Sequence, residues 1–458
     1  MSRESVASPS LALIGNTPLV RLDAFDTGPC QLFLKLECQN PGGSIKDRMA
    51  VAMIEAGERA GNIRAGTTLV EATAGNTGIG LALVAATKGY RLILVIPDKM
   101  SAEKIAHARA LGAEIEITRS DVEPGHPDYY IDRAVRIAKE TPNSFHINQF
   151  RNPANPLAHE TTTGPEIWEQ MQHDVDAIVC GVGSGGTMTG LSRFFARVQP
   201  ALEMVLADPA GSALAEYVRT GKYGPSGSYL VEGIGQSCVP EIADLSRVRK
   251  AYSIPDEESF TMTRELLRRT GILAGTSTGT LLASAIRYCK EQTKPKRVVT
   301  FACDTGAKYL SKVFNDYWML DQGFLDRPKT GTIRDLIARR YEAGDVITVS
   351  PDDTLLTAFR RMQMADVSQV PVMENGRCVG ILDESDVLVA VHGDERRFGE
   401  PVRNAMTTRL ETVQPAATIG DVYQILDRGL VALVVDGDRF LGLITRTDLL
   451  NYLRRQLK

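Results

Sequence analysis

The 458 residues are too many for one ordinary domain, and 43% hydrophobic content is enough for two or more packed cores, so a multidomain globular protein follows. A formal charge of −4 with no block of like charges gives nucleic acid no basic surface and argues for small-molecule partners. Seven cysteines without metal-ligand spacing, a polar Met1–Ser10 stretch and no apolar run near the roughly 20 residues of a membrane span together predict a cytoplasmic protein with reduced thiols.

From Leu32 to about Leu310 short apolar runs alternate with helical patterns, the grammar of an α/β domain with a mostly parallel sheet. Predicted strands are Leu32–Leu36, Thr68–Glu71, Arg91–Ile96, Ala177–Cys180, Met204–Ala207 and Arg297–Phe301. The first candidate site is the turn-rich Asn40-Pro-Gly-Gly-Ser44-Ile-Lys46-Asp47-Arg48, with Ser44 as cap of a helix through Ala50, Met53 and Ile54. Lys46 then lies in the first helical turn, where the helix dipole weakens its hold on a proton, as a Schiff-base lysine requires. Taken alone, a lysine is far more often a solvated surface residue.

The second is Glu71-Ala-Thr73-Ala74-Gly75-Asn76-Thr77-Gly78, between a strand and an apolar helix over Ile79–Thr87. Amides and short polar side chains at a helix N-terminus suit a carboxylate, although a plain capped turn explains the segment equally well. The third is Gly181-Val-Gly183-Ser184-Gly185-Gly186-Thr187, a phosphate cradle without the Lys-Ser/Thr ending of a nucleotide loop. It also satisfies Gly-x-Gly-x-x-Gly, and Asp208 lies 22 residues past Gly186, so a nicotinamide oxidoreductase is the runner-up from this segment alone. The fourth is Gly275-Thr276-Ser277-Thr278-Gly279-Thr280, opening a helix over Leu281–Lys290. A lysine, two anion loops and a Ser/Thr turn match one cofactor carrying a phosphate and an aldehyde; the dehydrogenase reading explains only the third.

Beyond Asp326 a charged, proline-containing stretch marks a boundary. Asp345–Leu355 then aligns with Leu410–Ile419 at an offset of 64, and Val379–Leu388 with Leu441–Leu450 at an offset of 62, an internal duplication. The expected layout is a catalytic domain over 1–325, a linker over 326–340, and repeats over 341–395 and 402–458.

These residues resemble the fold-type II pyridoxal phosphate family over the first 320 positions. Gly75–Leu83, Pro97–Lys104, Asn155–His159, Val231–Gly235 and Asp316–Leu320 are similar to its cystathionine β-synthase subgroup, and the duplicated tail resembles a pair of CBS domains, a Bateman module. The resemblance implies a two-subdomain parallel-sheet catalytic domain of the tryptophan synthase β type, and a homodimer or higher homo-oligomer. It implies Lys46 as the cofactor lysine, Asn76 on the ring hydroxyl oxygen, Gly183, Ser184, Gly185, Gly186 and Thr187 on the phosphate, and Ser277 at the pyridine nitrogen. It implies Thr73, Ala74, Asn76, Thr77 and Gln149 around the substrate carboxylate, with Glu232 and Gly233 through Gly235 edging the entrance.

The implied reaction is a β-replacement joining L-serine to L-homocysteine as L-cystathionine, a hydro-lyase step of transsulfuration and cysteine biosynthesis, with hydrogen sulfide release from cysteine as a side activity. The alternative is an O-acetylserine-dependent synthase of cystathionine or cysteine. Ala74, Phe150 and Gln236 keep it open, because they replace the hydroxyl-bearing residues of the human and yeast-type enzymes. No haem is expected, since only Met1–Leu13 precedes the first motif, Ile14-Gly-Asn-Thr-Pro-Leu19, and no metal. In the tail, Thr445 and Asp448 are similar to the ribose-binding Thr-x-x-Asp of CBS domains, while the first copy reads Asp383-Glu-Ser-Asp386. An adenosyl effector such as S-adenosylmethionine and a ligand-free dimerisation surface both remain open there.

Overall fold

The computed structural model describes residues 10–456 apart from 74, 99, 123–124 and 327–329. They form two compact units, one ending at Phe314 and one beginning at Asn315. Ala74 and the residues 327–329 of the expected boundary lie outside the described residues.

The first unit contains two sheets. Strands β1 (Leu19–Arg21), β2 (Gln31–Lys35), β3 (Thr68–Ala72), β4 (Arg91–Pro97), β5 (Glu114–Thr118), β6 (Ser144–His146), β7 (Ala177–Cys180), β8 (Glu203–Pro209), β9 (Val248–Ile254) and β10 (Arg297–Phe301) follow chain order. One sheet runs β1-β2-β10-β7-β8-β9 and the other β5-β4-β3-β6. Every neighbouring pair is parallel except β1 with β2, and Val299 sits opposite both Phe33 and Ile178. The central strands are buried on both faces: all five residues of β3 and all four of β7 are buried, which is why β7 reads as an unbroken apolar run and β3 as an apolar one interrupted by Glu71. The strands that escaped sequence reading are edge or half-exposed ones, such as β5, whose Glu-Ile-Glu-Ile-Thr carries charge on an outer position.

Two helices set the geometry of the site. Lys46–Arg59 packs Met49, Met53 and Ile54 against Ile79 and Leu81 of the helix Asn76–Lys88. Each such side chain contributes on the order of 1.5–3 kcal/mol by leaving water. Their approach is close because position 80 has no side chain: a Cβ there would stand 3.1 Å from the Lys46 carbonyl oxygen. The start of one helix is thereby held beside the start of the other.

In the second unit each repeat is built alike. Strands β11 (Gln369–Glu374) and β12 (Arg377–Asp383) pair antiparallel, as do β14 (Ala432–Asp436) and β15 (Arg439–Ile444), and the short β13 (Thr412–Val413) lies parallel to β14. The register slips between Val372 and Met373 in one repeat and between Val434 and Val435 in the other, positions separated by the same 62 residues as the sequence repeat. Val349 bridges Val372 in parallel just as Val413 pairs with Val434. Ile333, Leu336 and Ile337, inside the stretch read as a linker, are buried in the core of the second repeat. Their i, i+3, i+4 spacing already marks one apolar face, so these residues are packed structure and not a spacer.

Candidate active site

The four glycine- and hydroxyl-rich turns open four helices, at Lys46, Asn76, Gly186 and Thr276. Their N-cap positions are Ile45, Gly75, Gly185 and Gly275, and none supplies a side-chain cap. Ser44 was the expected cap of the first; the helix starts one residue later than that role requires, and the Ser44 Oγ instead accepts the Lys46 N–H at 3.3 Å. The second and fourth helices begin earlier than Ile79 and Leu281, so Asn76, Thr77 and Ser277 are first-turn residues and not part of the preceding turn. None of the four N-cap residues closes its terminus with a side chain; only the first helix start is partly closed, by Ser44 through its Oγ and its carbonyl.

All four meet at one cavity of about 720 Å³. Lys46, Thr73, Asn76, Thr77, Gln149, Gly183 to Thr187, Glu232, Gly233 and Ser277 line it, so every described residue of the predicted site is brought together. Lys46 is half-buried in the cavity wall, and desolvation, reinforced by the positive charge of Lys104, holds its pKa below the ordinary lysine value. An amine that sheds its proton readily is a competent nucleophile and base.

Between β7 and the helix Gly186–Val198 the loop is a cradle with no room for side chains. A Cβ on Gly183 would come within 2.4 Å of the Gly233 carbonyl oxygen, one on Gly185 within 2.4 Å of Ala243 Cβ, and one on Gly186 within 1.9 Å of Asn155 Oδ1. Gly185 also has φ +92°, the left-handed region. Asn155 Nδ2 braces the loop by donating to the Ser184 Oγ at 3.0 Å and the Gln149 carbonyl at 2.9 Å. His159, fully buried and with its pKa far below normal through desolvation, touches Thr187 Oγ1 at 3.3 Å as a neutral ring. A bare backbone loop at an open helix terminus fits a phosphate, and a half-buried, readily deprotonated lysine across the same cavity fits an aldehyde.

The segment around Gly75 and Gln149 is equally ordered. Thr77 Oγ1 donates to Gln149 Oε1 at 2.8 Å, Gln149 Nε2 donates to the Ala72 carbonyl at 3.2 Å, and the Gly75 N–H donates to Thr73 Oγ1 at 3.1 Å. Beneath Gln149 lies Glu71, whose Oε2 has no partner and whose pKa is pushed up to about 8 by burial. Opposite, Ser277 offers a neutral hydroxyl, and Cys303 beside it is raised to about 12 by burial.

Sequence reading named Glu232 at the entrance but missed the charged groups around it. Glu232 receives Lys104 Nζ at 2.6 Å on one oxygen and Lys312 Nζ at 2.6 Å on the other. Lys104 Nζ also donates to Tyr309 Oη at 2.9 Å, and Tyr309 Oη donates to Asp304 Oδ2 at 2.7 Å. Lys104, Glu232 and the 304–312 segment lie far apart in the chain, so only the fold joins them. Asp208 is not among the cavity residues: one of its carboxylate oxygens accepts the Ala215 N–H at 2.8 Å, so the ribose-binding role of the dinucleotide reading has no geometry behind it. In the second unit the Asp448 carboxylate accepts the Thr445 N–H at 2.7 Å and its hydroxyl at 2.6 Å, while Thr445 Oγ1 accepts the Asp448 N–H at 3.3 Å. Asp383 and Asp386 form the matching capping box in the first repeat. Among the described residues no cluster suited to a metal ion occurs, and no helix is long and apolar enough to cross a membrane.

Fold and site together define a pyridoxal-phosphate dependent enzyme: the family model of that description matches residues 11–304, and CBS domain models match residues 333–393 and 402–455. Over 435 residues, covering 93% of this chain and 77% of the other, the sequence is 36% identical to cystathionine beta-synthase of Mus musculus. It is 31% identical to the enzyme of that name in Saccharomyces cerevisiae, covering 96% and 97% of the two chains. A solved structure titled O-acetylserine dependent cystathionine beta-synthase from Helicobacter pylori superimposes with a TM-score of 0.62 at 34% identity, over 68% of this chain and 99% of that one. A hydrogen sulfide-producing enzyme from Fusobacterium nucleatum does so with a TM-score of 0.62 at 36% identity, over 68% and 100%. The chain belongs to the cystathionine beta-synthase family of pyridoxal-phosphate dependent enzymes, with a C-terminal pair of CBS domains.

Proposed function

We propose that the protein catalyses β-replacement on L-serine, joining it to L-homocysteine as L-cystathionine, with cysteine as an alternative donor that releases hydrogen sulfide. The observation that carries this reading is the convergence of four helix N-termini without a side-chain N-cap and one half-buried lysine on a single cavity. In it Gly183 to Thr187 hold the phosphate by backbone amides, Ser277 meets the ring nitrogen, Asn76 meets the ring oxygen and Lys46 anchors the aldehyde. Pyridoxal phosphate, when bound, supplies the electron sink that acidifies the α-carbon of an amino acid and lets a β-substituent leave.

The protein's own contribution is position and proton transfer. The first-turn amides of the helix Asn76–Lys88, with Thr73, Thr77 and Gln149, hold the substrate carboxylate. The Lys46 amine, its pKa held below the ordinary lysine value by burial, removes the α-proton and then delivers a proton to the departing hydroxyl. A neutral Ser277 leaves the ring nitrogen without the carboxylate that would keep it protonated, which moderates the sink and favours β-chemistry over deeper electron withdrawal. Glu232, held by two lysines, edges the cavity where the thiol arrives. Seven cysteines without a disulfide suit a reducing, cytoplasmic setting.

A second reading, O-acetylserine as donor, is favoured by Phe150 and Gln236, which line the cavity without a hydroxyl to assist a poor leaving group. Turnover with serine and with O-acetylserine, each with homocysteine and with sulfide, followed by mass spectrometry of the product, decides between them. Cystathionine from serine at a higher kcat/KM than from the ester supports the first reading; the reverse order supports the second.

A further inference from the structure

Lys308 lies outside the cavity lining and is only 3% exposed, yet its ammonium joins two of the segments that build the site. Nζ donates to the carbonyl oxygens of Gly42 at 2.8 Å and Gly43 at 3.1 Å, in the loop that delivers Lys46, and to Asn76 Oδ1 at 2.8 Å. The three N–H groups of an ammonium thus meet three acceptors. The Gly42 peptide is held from its other side too, because its N–H donates to Asp47 Oδ2 at 2.5 Å.

The Asn76 amide is equally constrained. Its Nδ2 donates to Asp304 Oδ2 at 2.7 Å, the oxygen that also accepts from Tyr309. An amide with its oxygen on an ammonium and one N–H on a carboxylate has a single favourable orientation. Turning it over would set N–H against N–H and oxygen against oxygen. The second N–H is then fixed as a donor. Asp304 and Asp47 face Lys308 with opposite charge, and Lys104 with like charge, so the ammonium is neither isolated nor simply neutralised.

We propose that Lys308, anchored on the Gly42 and Gly43 carbonyls, is a positioning residue that fixes Asn76 as a hydrogen-bond donor to the cofactor's ring oxygen. The inference rests on the reading that Asn76 meets that oxygen. A hydrogen bond to the ring oxygen alters the cofactor's visible absorption as well as its affinity, so the role has a signature that loss of stability alone does not produce.

The test uses the purified full-length holoenzyme and its K308M, K308Q, N76A and K308M/N76A variants, comparing visible spectra and dissociation constants for pyridoxal phosphate. K308M should shift the spectrum in the same direction as N76A and weaken cofactor binding about tenfold, the loss of one charge-assisted contact. K308Q, with two donors in place of three, should fall between, and it supplies the comparison if K308M does not fold. Because Lys308 acts through Asn76, the double variant should lie within about twofold of N76A alone. A wild-type spectrum and affinity in the Lys308 variants, or effects that multiply in the double variant, overturn the proposal while the cofactor reading stands. A wild-type protein that binds no pyridoxal phosphate overturns both.

Discussion

Replacing Gly183 with Ala tests the phosphate cradle by geometry alone, because this residue is not among the positive-φ glycines and the substitution adds no backbone strain of that kind. The new Cβ would stand 2.4 Å from the Gly233 carbonyl oxygen, whereas ordinary contact begins near 3.4 Å, so the two segments must part by about 1 Å. The 233 segment cannot retreat freely, since the Gly235 N–H donates to the Val182 carbonyl at 2.8 Å and Ile234 packs where a Gly181 side chain would be. The cradle loop must therefore move. A displacement of that size breaks at least one amide contact to a bound phosphate, at about 1.5–3 kcal/mol for a hydrogen bond to a charged group, or roughly 10- to 100-fold in affinity. Equilibrium dialysis of the apoprotein against pyridoxal phosphate measures it directly. Gly221→Ala is the control: φ is +75° but nothing lies within 4 Å, so it should cost about 1–2 kcal/mol of stability and leave cofactor affinity unchanged. An affinity for G183A within threefold of wild type would refute the placement of the phosphate.

Glu71 should make stability fall as pH rises. Its folded pKa, raised from 4.5 to about 8 by burial, gives a contribution fully present below pH 4.5 and lost as pH climbs through about 8; Glu71→Gln should flatten that slope in denaturant titrations across pH 5 to 9. Lys308, lowered from 10.5 to about 8, acts in the opposite sense, its contribution present above pH 10.5 and lost as pH falls through 8; Asp47 and Asp208, raised by burial to about 7 and about 6, share the sign of Glu71, so the difference between wild type and Glu71→Gln, not the wild-type slope, carries the Glu71 effect. Glu232→Ala strips the buried Lys104 of its carboxylate and should destabilise the first unit by roughly 3–5 kcal/mol, visible as an earlier calorimetric transition. Thr445→Ala removes a helix cap and should cost about 1 kcal/mol in the second unit without any added nucleotide; an unchanged transition there would show that the Thr445–Asp448 pair serves no structural purpose.

The cofactor side of the site was legible in the sequence because it is local. A phosphate needs consecutive bare amides and a Schiff-base lysine needs a helix start, and each fits within one turn, from Gly183 to Thr187 and from Asn40 to Lys46. The wall around it was legible only at Glu232, because Lys104 and the segment carrying Asp304, Lys308 and Tyr309 join it from two other stretches of chain, and a buried lysine looks like any other until its neighbours are known. The strands divide in the same way. An unbroken apolar run such as β7 announces itself, whereas β5 and β9 carry charge along exposed positions and read as loop or helix. Capping was misjudged in the instructive direction: Asn76 and Ser277 have the chemistry of caps but stand inside the first helical turn, and Ser44 sits one residue before the N-cap.

The central claim is that the amine of Lys46, and no other, carries the cofactor. Reduction of the purified protein with borohydride, followed by proteolysis and peptide mass mapping, tests it, since reduction makes the linkage permanent. A pyridoxyl group on the peptide containing Lys46 is the predicted result. The same group on Lys104 or Lys308, the buried lysines beside the cavity, or on no lysine at all, would contradict it.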